Sequence, residues 1–311
     1  MPELPDLTVY LEHLDALLTG GRLLCVRLAS PFLVRSVEPP LAACFDRRVR
    51  GFSRLGKRIV VELEGELFLV LHLMVAGRLR YRDEANAPIP GKVGSCAFDV
   101  ERADGTRGTV LLTEASPKKR ASLHVVGGRT ALREHDPGGL EVDALDLAGF
   151  RAALTAERHT LKRALTDPRT FAGIGNAYAD EILHRARLSP VAMTTALHDD
   201  EHGRLFAATR AVLAEWTMRL REAAKDQPLP EKVTAFHDEM AVHGRAGKPC
   251  PVCGTAVQKI ARASNETNYC PTCQTGGRLL ADRALSRLLK DDWPRTLEEL
   301  EALKRSHRAV P

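Results

Sequence analysis

Four cysteines constrain this chain more than any other feature. Cys250-Pro-Val-Cys253 and Cys270-Pro-Thr-Cys273 form two CxxC pairs, sixteen residues apart. Each pair turns tightly enough to place two thiolates on one ion. Two such pairs complete a tetrahedral all-thiolate set, the geometry and donors that zinc takes. A closed shell of four cysteines leaves no open coordination position, so one structural Zn2+ is expected. It would fold a module too small to bury a core of its own. Disulfides are the competing use. The N-terminus, MPELPDLTVY, lacks the basic stretch and apolar core of a secretory signal. A reducing compartment, and hence metal, is the expectation. Cys25, Cys44 and Cys96 are scattered and read as small buried hydrophobes.

The module also carries Arg245, Lys248, Lys259 and Arg262, with no acidic residue between the first and the last. Such a hairpin suits a phosphate backbone, and equally a solvated surface. The net charge of +5 permits a nucleic-acid partner without demanding one. No apolar run approaches the ~18–20 residues of a membrane span. With 311 residues, 44% hydrophobic and 27% charged, the chain is long enough for two domains with real cores.

Leucines 4, 7, 11, 14 and 18 recur at helical spacing, so residues 3–18 read as a helix ended by Gly20-Gly21. From 22 to about 130 the texture is that of short strands, among them 58–63, 67–71, 96–100 and 109–113, separated by turns such as Glu64-Gly65 and Asp104-Gly105. An antiparallel sandwich or flattened barrel behind one helix follows. His135-Asp-Pro-Gly-Gly139 reads as a linker. Beyond it, segments near 147–156, 159–166, 174–186 and 197–224 have helical period, and Pro228 and Pro230 break the pattern. The tail, 279–311, carries Leu279, Leu280, Leu285, Leu288 and Leu289 at helical spacing.

Two further features bear on chemistry. Methionine is readily removed before a small residue, which would leave Pro2 as a secondary amine at the chain's start. An α-amine has a reference pKa of ~7.7–8.0 against ~10.4 for lysine, so at pH 7 roughly 10% or more is neutral, against roughly 0.04% of a lysine. A neutral amine attacks the carbonyl-like C1′ of a sugar, and Glu3 beside it can move protons. On the residues alone, Pro2 and Pro5 serve equally well to start a helix. In the second feature, Gly173 and Gly175 precede a helix that begins near Asn176. Glycines there let backbone N–H groups approach an anion such as phosphate, with Asn176 and Lys162 as added donors. A plain helix cap and a solvated lysine are the alternatives.

Taken in order, these segments resemble the formamidopyrimidine-DNA glycosylase / endonuclease VIII family of base-excision repair enzymes. The resemblance rests on Pro2-Glu3-Leu4-Pro5, Gly56-Lys57, His72-Leu-Met74 with Gly77, and Gly173-Ile-Gly-Asn-Ala-Tyr-Ala-Asp-Glu-Ile-Leu183. It continues through Val242-His-Gly-Arg245, the four cysteines and Cys273-Gln274, and so covers about residues 2–274. It implies an α+β chain in several parts. A catalytic β-sandwich domain spans 1–134, a linker 135–141, a helix–two-turn–helix domain 142–240, a zinc finger 241–275 and a helical extension 276–311. It also implies a flipped-out damaged nucleotide. Pro2 attacks C1′, the base leaves, and β- and often δ-elimination nicks the strand. Glu3 transfers protons, Lys57 sits near the lesion's phosphate, Asn176 holds the backbone, and Met74 fills the gap left by the flipped base.

The chain departs from the family in four places. The loop Asp-Pro-Arg-Arg-Phe-Gly, whose arginine and phenylalanine probe the opposite strand, is replaced by Thr113-Glu-Ala-Ser-Pro-Lys-Lys-Arg-Ala-Ser-Leu123. Lys118, Lys119 and Arg120 there are expected to contact phosphate instead. Asn265 stands where the finger usually has arginine, and an amide grips phosphate less strongly than a bidentate guanidinium. Arg262 is the candidate substitute. Asp6 replaces a glutamate, and about 37 residues follow Gln274. The expected function is a bifunctional glycosylase and AP lyase for oxidised or ring-opened bases and abasic sites. A damaged-DNA binding protein with little glycosylase activity is the alternative. Damaged DNA is the expected partner, with no membrane. A monomer in the cytoplasm, associated with the bacterial nucleoid, is expected.

Overall fold

The computed structural model describes residues 1–231, 233–262, 265–281 and 294–308, with backbone alone at 262, 265, 304 and 306–308. The chain divides into two compact units, 1–139 with 214–235, and 140–213 with 236–311.

In the first unit, Leu4–Leu18 forms helix α1. Pro5 lies in its first turn, where a missing N–H costs nothing. Leu7, Tyr10, Leu14 and Leu18 share one face and are buried, as their three- and four-residue spacing requires. Eight strands follow: β1 (Arg22–Leu28), β2 (Arg47–Leu55), β3 (Arg58–Leu63), β4 (Leu67–His72), β5 (Gly77–Arg82), β6 (Gly94–Glu101), β7 (Arg107–Glu114) and β8 (Ser122–Gly127). All their pairings are antiparallel, in the order β5-β7-β6-β1-β2-β3-β4-β8.

β1 meets β2 only at Arg22↔Arg48 and Leu23↔Arg47, and this short seam divides the sheet into two four-stranded halves. One apolar core draws on both halves. Leu23, Leu79, Phe98 and Leu112 come from one, and Ile59, Leu69, Leu71 and Leu123 from the other. The shared core makes the unit a sandwich. A short helix, α2 (Arg129–Arg133), covers a second small cluster of Val60, Phe68, Val70 and Val126.

One of the buried carboxylates of the sandwich is paired with an arginine. Asp99 on β6 accepts from Arg27 Nε at 2.6 Å and Nη2 at 2.9 Å, from Thr109 Oγ1 at 2.9 Å and from Cys25 Sγ at 3.3 Å. Burial works against its charge. The hydrogen bonds from Arg27, Cys25 and Thr109 overcome that penalty and hold the carboxyl below its ordinary value.

Residues 214–235 return to this unit, which the helical pattern around them does not reveal. Leu229 and Val233 enter the sandwich core. Arg221 grips Glu12 of α1 with both ends of its guanidinium, the shortest contact being 2.6 Å. Glu231 accepts from Arg82 on β5 at 2.7 Å.

The second unit is helical: α3 (Leu147–Thr155), α4 (Leu161–Thr166), α5 (Asn176–Ala186) and the first half of α6 (Asp199–Ala224). Asp146 caps α3 by accepting from the Gly149 N–H at 2.7 Å. Phe150 stacks on Phe171 at 4.8 Å and meets Phe206 at 5.2 Å. The cysteine module follows as a hairpin of β9 (Gln258–Arg262) and β10 (Asn265–Tyr269), then a short helix, α7 (Pro271–Thr275).

In the tail, Leu279 and Leu280 are not helical. The Leu280 N–H donates to the Tyr269 hydroxyl at 2.8 Å. The expected stripe at Leu285, Leu288 and Leu289 lies outside the described residues, and a helix covers Leu297–Arg308. Among the described residues no helix is long and apolar enough to cross a membrane.

Replacing Asp99 by alanine leaves Arg27, Thr109 and Cys25 without their shared acceptor. It should destabilise the first unit by about 3 kcal/mol, read as a lower urea midpoint. The exposed Asp104→Ala should leave the midpoint close to that of the wild type. Equal effects of the two variants would refute the special place of Asp99.

Candidate functional site

The chain's start is held inside the first unit. Pro2 and Glu3 are buried, and the Glu3 N–H donates to the Asp6 carboxylate at 2.8 Å, which fixes the entry into α1. The shorter Asp6 therefore still serves the helix start. Burial holds the α-ammonium of Met1 below its ordinary value of 8.0. Glu3 and Asp6 oppose this, and Arg78 and Lys57 reinforce it. The same surroundings act on His72 at the end of β4. Burial, then Arg58, Lys57 and the terminal amine, push it from 6.5 down to about 4. Lys57 comes from the two-residue turn Gly56-Lys57 between β2 and β3, where Gly56 takes φ +57. Amine, Glu3, Lys57, His72 and Arg78 thus belong to one electrostatic neighbourhood. His72 and Arg78 are members that the sequence did not single out by role. Asp6 also lines a cavity of about 490 Å³ with Val9, Leu220, Gln227 and Glu231, so the returning 214–235 segment walls the space beside the helix start.

The turn from β4 to β5, residues 73–77, is rigid. A side chain on Gly77 would meet the Leu73 carbonyl oxygen at 2.2 Å. The Gly77 N–H donates to that same oxygen at 2.9 Å, and the Arg78 guanidinium donates to the carbonyls of Val75 and Gly77 at 3.1 and 2.6 Å. Met74 is half-buried, with φ at +53, so its backbone takes the left-handed turn. The apolar side chain that stands clear is Val75, 67% exposed.

The β7–β8 loop is tied at its root, where the buried Glu114 carboxylate accepts from the N–H groups of Arg120 and Ala121 at 2.8 and 3.2 Å. Lys119 Nζ donates to the Gly94 carbonyl at 2.7 Å. Lys118 and Arg120 project from the loop as exposed cations.

In the second unit, Gly173 (φ +79) shapes the turn before α5, and Gly175 precedes its first residue. Lys162 is neither a solvated lysine nor an unengaged phosphate donor. Its side chain is 12% exposed, and its ammonium donates to Asp180 and, at 2.6 Å, to the Asn176 carbonyl. A fully buried carboxylate draws it inward. Asp180 also binds His243 Nδ1 at 2.8 Å. The Asn176 side-chain amide donates to the Glu266 carbonyl of β10 at 2.9 Å, so one of its donors ties α5 to the hairpin. Glu181 accepts from three successive N–H groups, Ala241, Val242 and His243, at 2.7–2.9 Å. Burial raises its pKa against those bonds. Adjacent acids on α5 thus hold α4 and the chain leading into the cysteine module. The side chains of Arg262 and Asn265 lie outside the described residues.

The four cysteine sulfurs lie within 4.8 Å of one another, with Cys253–Cys270 at 3.3 Å and Cys250–Cys273 at 4.0 Å. A tetrahedron with Zn–S of ~2.3 Å needs sulfurs about 3.8 Å apart, so the set fits one structural zinc. His184, at the last turn of α5, places Nε2 3.2 Å from Cys250 Sγ. Burial, with Arg185 and Arg187, pushes its pKa down to about 4. Gln274 accepts from the Cys270 N–H and donates to the Leu188 carbonyl, both at 2.9 Å.

Residues 1–137 match the formamidopyrimidine-DNA glycosylase N-terminal domain, 137–223 the H2TH domain of the same glycosylase, and 247–276 a zinc finger found in FPG and IleRS. The formamidopyrimidine-DNA glycosylase of Heliobacterium modesticaldum is 32% identical over 282 residues, covering 88% of this chain and 100% of that protein. An uncharacterized formamidopyrimidine-DNA glycosylase-like protein of Mycobacterium tuberculosis is 41% identical over 165 residues, 53% of this chain and 100% of that protein. Among solved structures, the MutM (Fpg) protein of Thermus thermophilus superposes with a TM-score of 0.71 at 33% identity, covering 88% of this chain and 98% of that one. The Lactococcus lactis Fpg complex with abasic-site DNA shares the fold at 22% identity and a TM-score of 0.76, covering 88% of this chain and 99% of that one.

The half-buried His72 makes stability pH-dependent with a definite sign. Between pH 6.5 and 4 the unfolded chain takes up a proton that the folded chain refuses. Stability is full above pH 6.5 and falls as pH drops toward 4. At pH 5 the loss is about 1–2 kcal/mol. His72→Gln should shrink by that amount the difference between the unfolding free energies from urea titrations at pH 7.5 and pH 5. An unchanged difference would show that His72 titrates normally.

Proposed function

The chain belongs to the formamidopyrimidine-DNA glycosylase family, and from that premise we propose how its own residues excise a base and nick the strand. It is a DNA glycosylase and AP lyase. The observation that carries the mechanism is the buried chain start, where burial disfavours the charged form of a terminal amine beside Glu3. With Met1 removed, Pro2 presents a secondary amine at this place. Its neutral form attacks C1′ of the damaged nucleotide and the base departs. The resulting Schiff base allows β- and then δ-elimination, which cuts the strand. Glu3 transfers protons to and from the sugar. Oxidised or ring-opened bases, and bare abasic sites, are the proposed substrates. We place the activity in the cytoplasm, at the nucleoid.

Lys57 is assigned to the phosphate beside the lesion, and Lys118 and Arg120 to phosphates further along. Lys162 meets a phosphate only while shared with Asp180, so its role is a fixed, directional contact. Val75 takes the part first expected of Met74. A flipped nucleotide leaves a gap in the stack, and the side chain that enters it must stand clear of the protein. Valine is stiff and short, so the gap is filled less completely than methionine would fill it.

Borohydride trapping on a duplex with an abasic site tests the nucleophile. The wild type should give a covalent band. Pro2→Leu, whose bulk keeps Met1 in place, should give none. A band of normal intensity from that variant would sink the assignment. A wild type that binds DNA yet never traps would favour a damage-binding protein. Glu3→Gln should bind the duplex normally while base excision falls by about 10²–10⁴.

Val75 gives a separate readout. Val75→Gly should slow excision from damaged-base duplexes by about tenfold or more, since burying one valine side chain is worth at least ~1.5 kcal/mol. It should leave cleavage of abasic sites unchanged, because no base has to be displaced there. Equal losses on both substrates would refute this role.

A further inference from the structure

We propose that His184 is a hydrogen-bond donor to the zinc-bound thiolate of Cys250, so that the α5 helix carries part of the metal centre's charge. Four thiolates around Zn2+ leave a net charge of about −2, and two of the sulfur-bearing residues have almost no contact with water: Cys250 is 2% exposed and Cys270 0%. An anion buried this way is costly unless donors point at it. The Cys273 N–H lies 3.5 Å from Cys270 Sγ. His184 Nε2 lies 3.2 Å from Cys250 Sγ, within sulfur hydrogen-bond range, and the residue is 6% exposed, so water does not readily stand in for it.

The direction of the bond follows from the metal. A thiolate bound to zinc has no proton, so the shared hydrogen belongs to the ring. The imidazole is thereby fixed as its Nε2–H tautomer. The ring is not a fifth ligand, because the four-cysteine shell leaves no position for one.

The bond has a mechanical side as well. Asn176, at the first residue of α5, ties to the Glu266 carbonyl. His184, about 12 Å further along the helix, ties to Cys250. The helix is clasped to the cysteine module at both ends, and metal binding to the thiolate fixes His184 as the donor in the far clasp. This inference does not depend on the DNA chemistry.

The test uses the zinc-loaded protein with 15N-labelled histidine. Long-range 1H–15N correlation should show His184 as the Nε2–H tautomer with a slowly exchanging ring proton. An Nδ1–H tautomer would overturn the proposal without any variant. His184→Phe keeps bulk and loses the donor, whereas His184→Gln places an amide N–H near the same point. Transfer of zinc to an excess of chelator should be about 10–100-fold faster for the Phe variant and near wild type for Gln. In the cobalt-substituted proteins, the thiolate-to-cobalt charge-transfer band should move to lower energy in the Phe variant alone. Wild-type release and an unmoved band in a folded His184→Phe protein would also overturn it.

Discussion

The chemistry proposed for the chain terminus requires that the least restrained part of a polypeptide be held still. Here the restraint is the burial of α1. Leu7, Tyr10, Leu14 and Leu18 lock the helix into the sandwich core, and Asp6 takes the Glu3 N–H, so the first residues inherit the rigidity of the sheet. The same burial sets the charge state. Removing the amine from water disfavours its cationic form, and the nearby cations Arg78 and Lys57 push in the same direction. Position and reactivity come from one physical cause.

The second unit is organised around buried acids. Asp180 and Glu181 are neighbours on α5 and point to different partners: Asp180 to Lys162 and His243, Glu181 to three backbone N–H groups before the cysteine module. Buried carboxylates are expensive alone and specific when fully paired. They explain why the approach to the zinc module has one register against α5. They also explain why Lys162, which reads as a surface charge, is drawn inward.

Much of this was legible in the sequence where a pattern repeats. The leucine spacing of α1, the short apolar runs of β3, β4, β6 and β7 between turns, and the CxxC pairs each state a local rule that the structure obeys. What escaped was decided by non-local partners. β2, Arg-Arg-Val-Arg-Gly-Phe-Ser-Arg-Leu, is too basic to read as a strand, yet β3 pairs with it along six residues. Met74 and Val75 are adjacent, and nothing in the sequence shows that the first takes a left-handed φ and the second stands exposed. Nothing in 225–235 announces that Leu229 and Val233 complete a core assembled from more than a hundred residues earlier in the chain. His184 is one residue in an ordinary helical stripe until Cys250 is placed beside it.

The return of 214–235 to the first unit also orders events during synthesis. Residues 1–139 emerge first, but their core still lacks Leu229 and Val233, and α1 still lacks the Arg221 partner of Glu12. All of 140–213 must be translated before those pieces arrive. The pocket beside Asp6, walled by Leu220, Gln227 and Glu231, therefore closes late on the ribosome. A nascent fragment ending anywhere before the returning segment possesses the proposed nucleophile without the finished chamber around it.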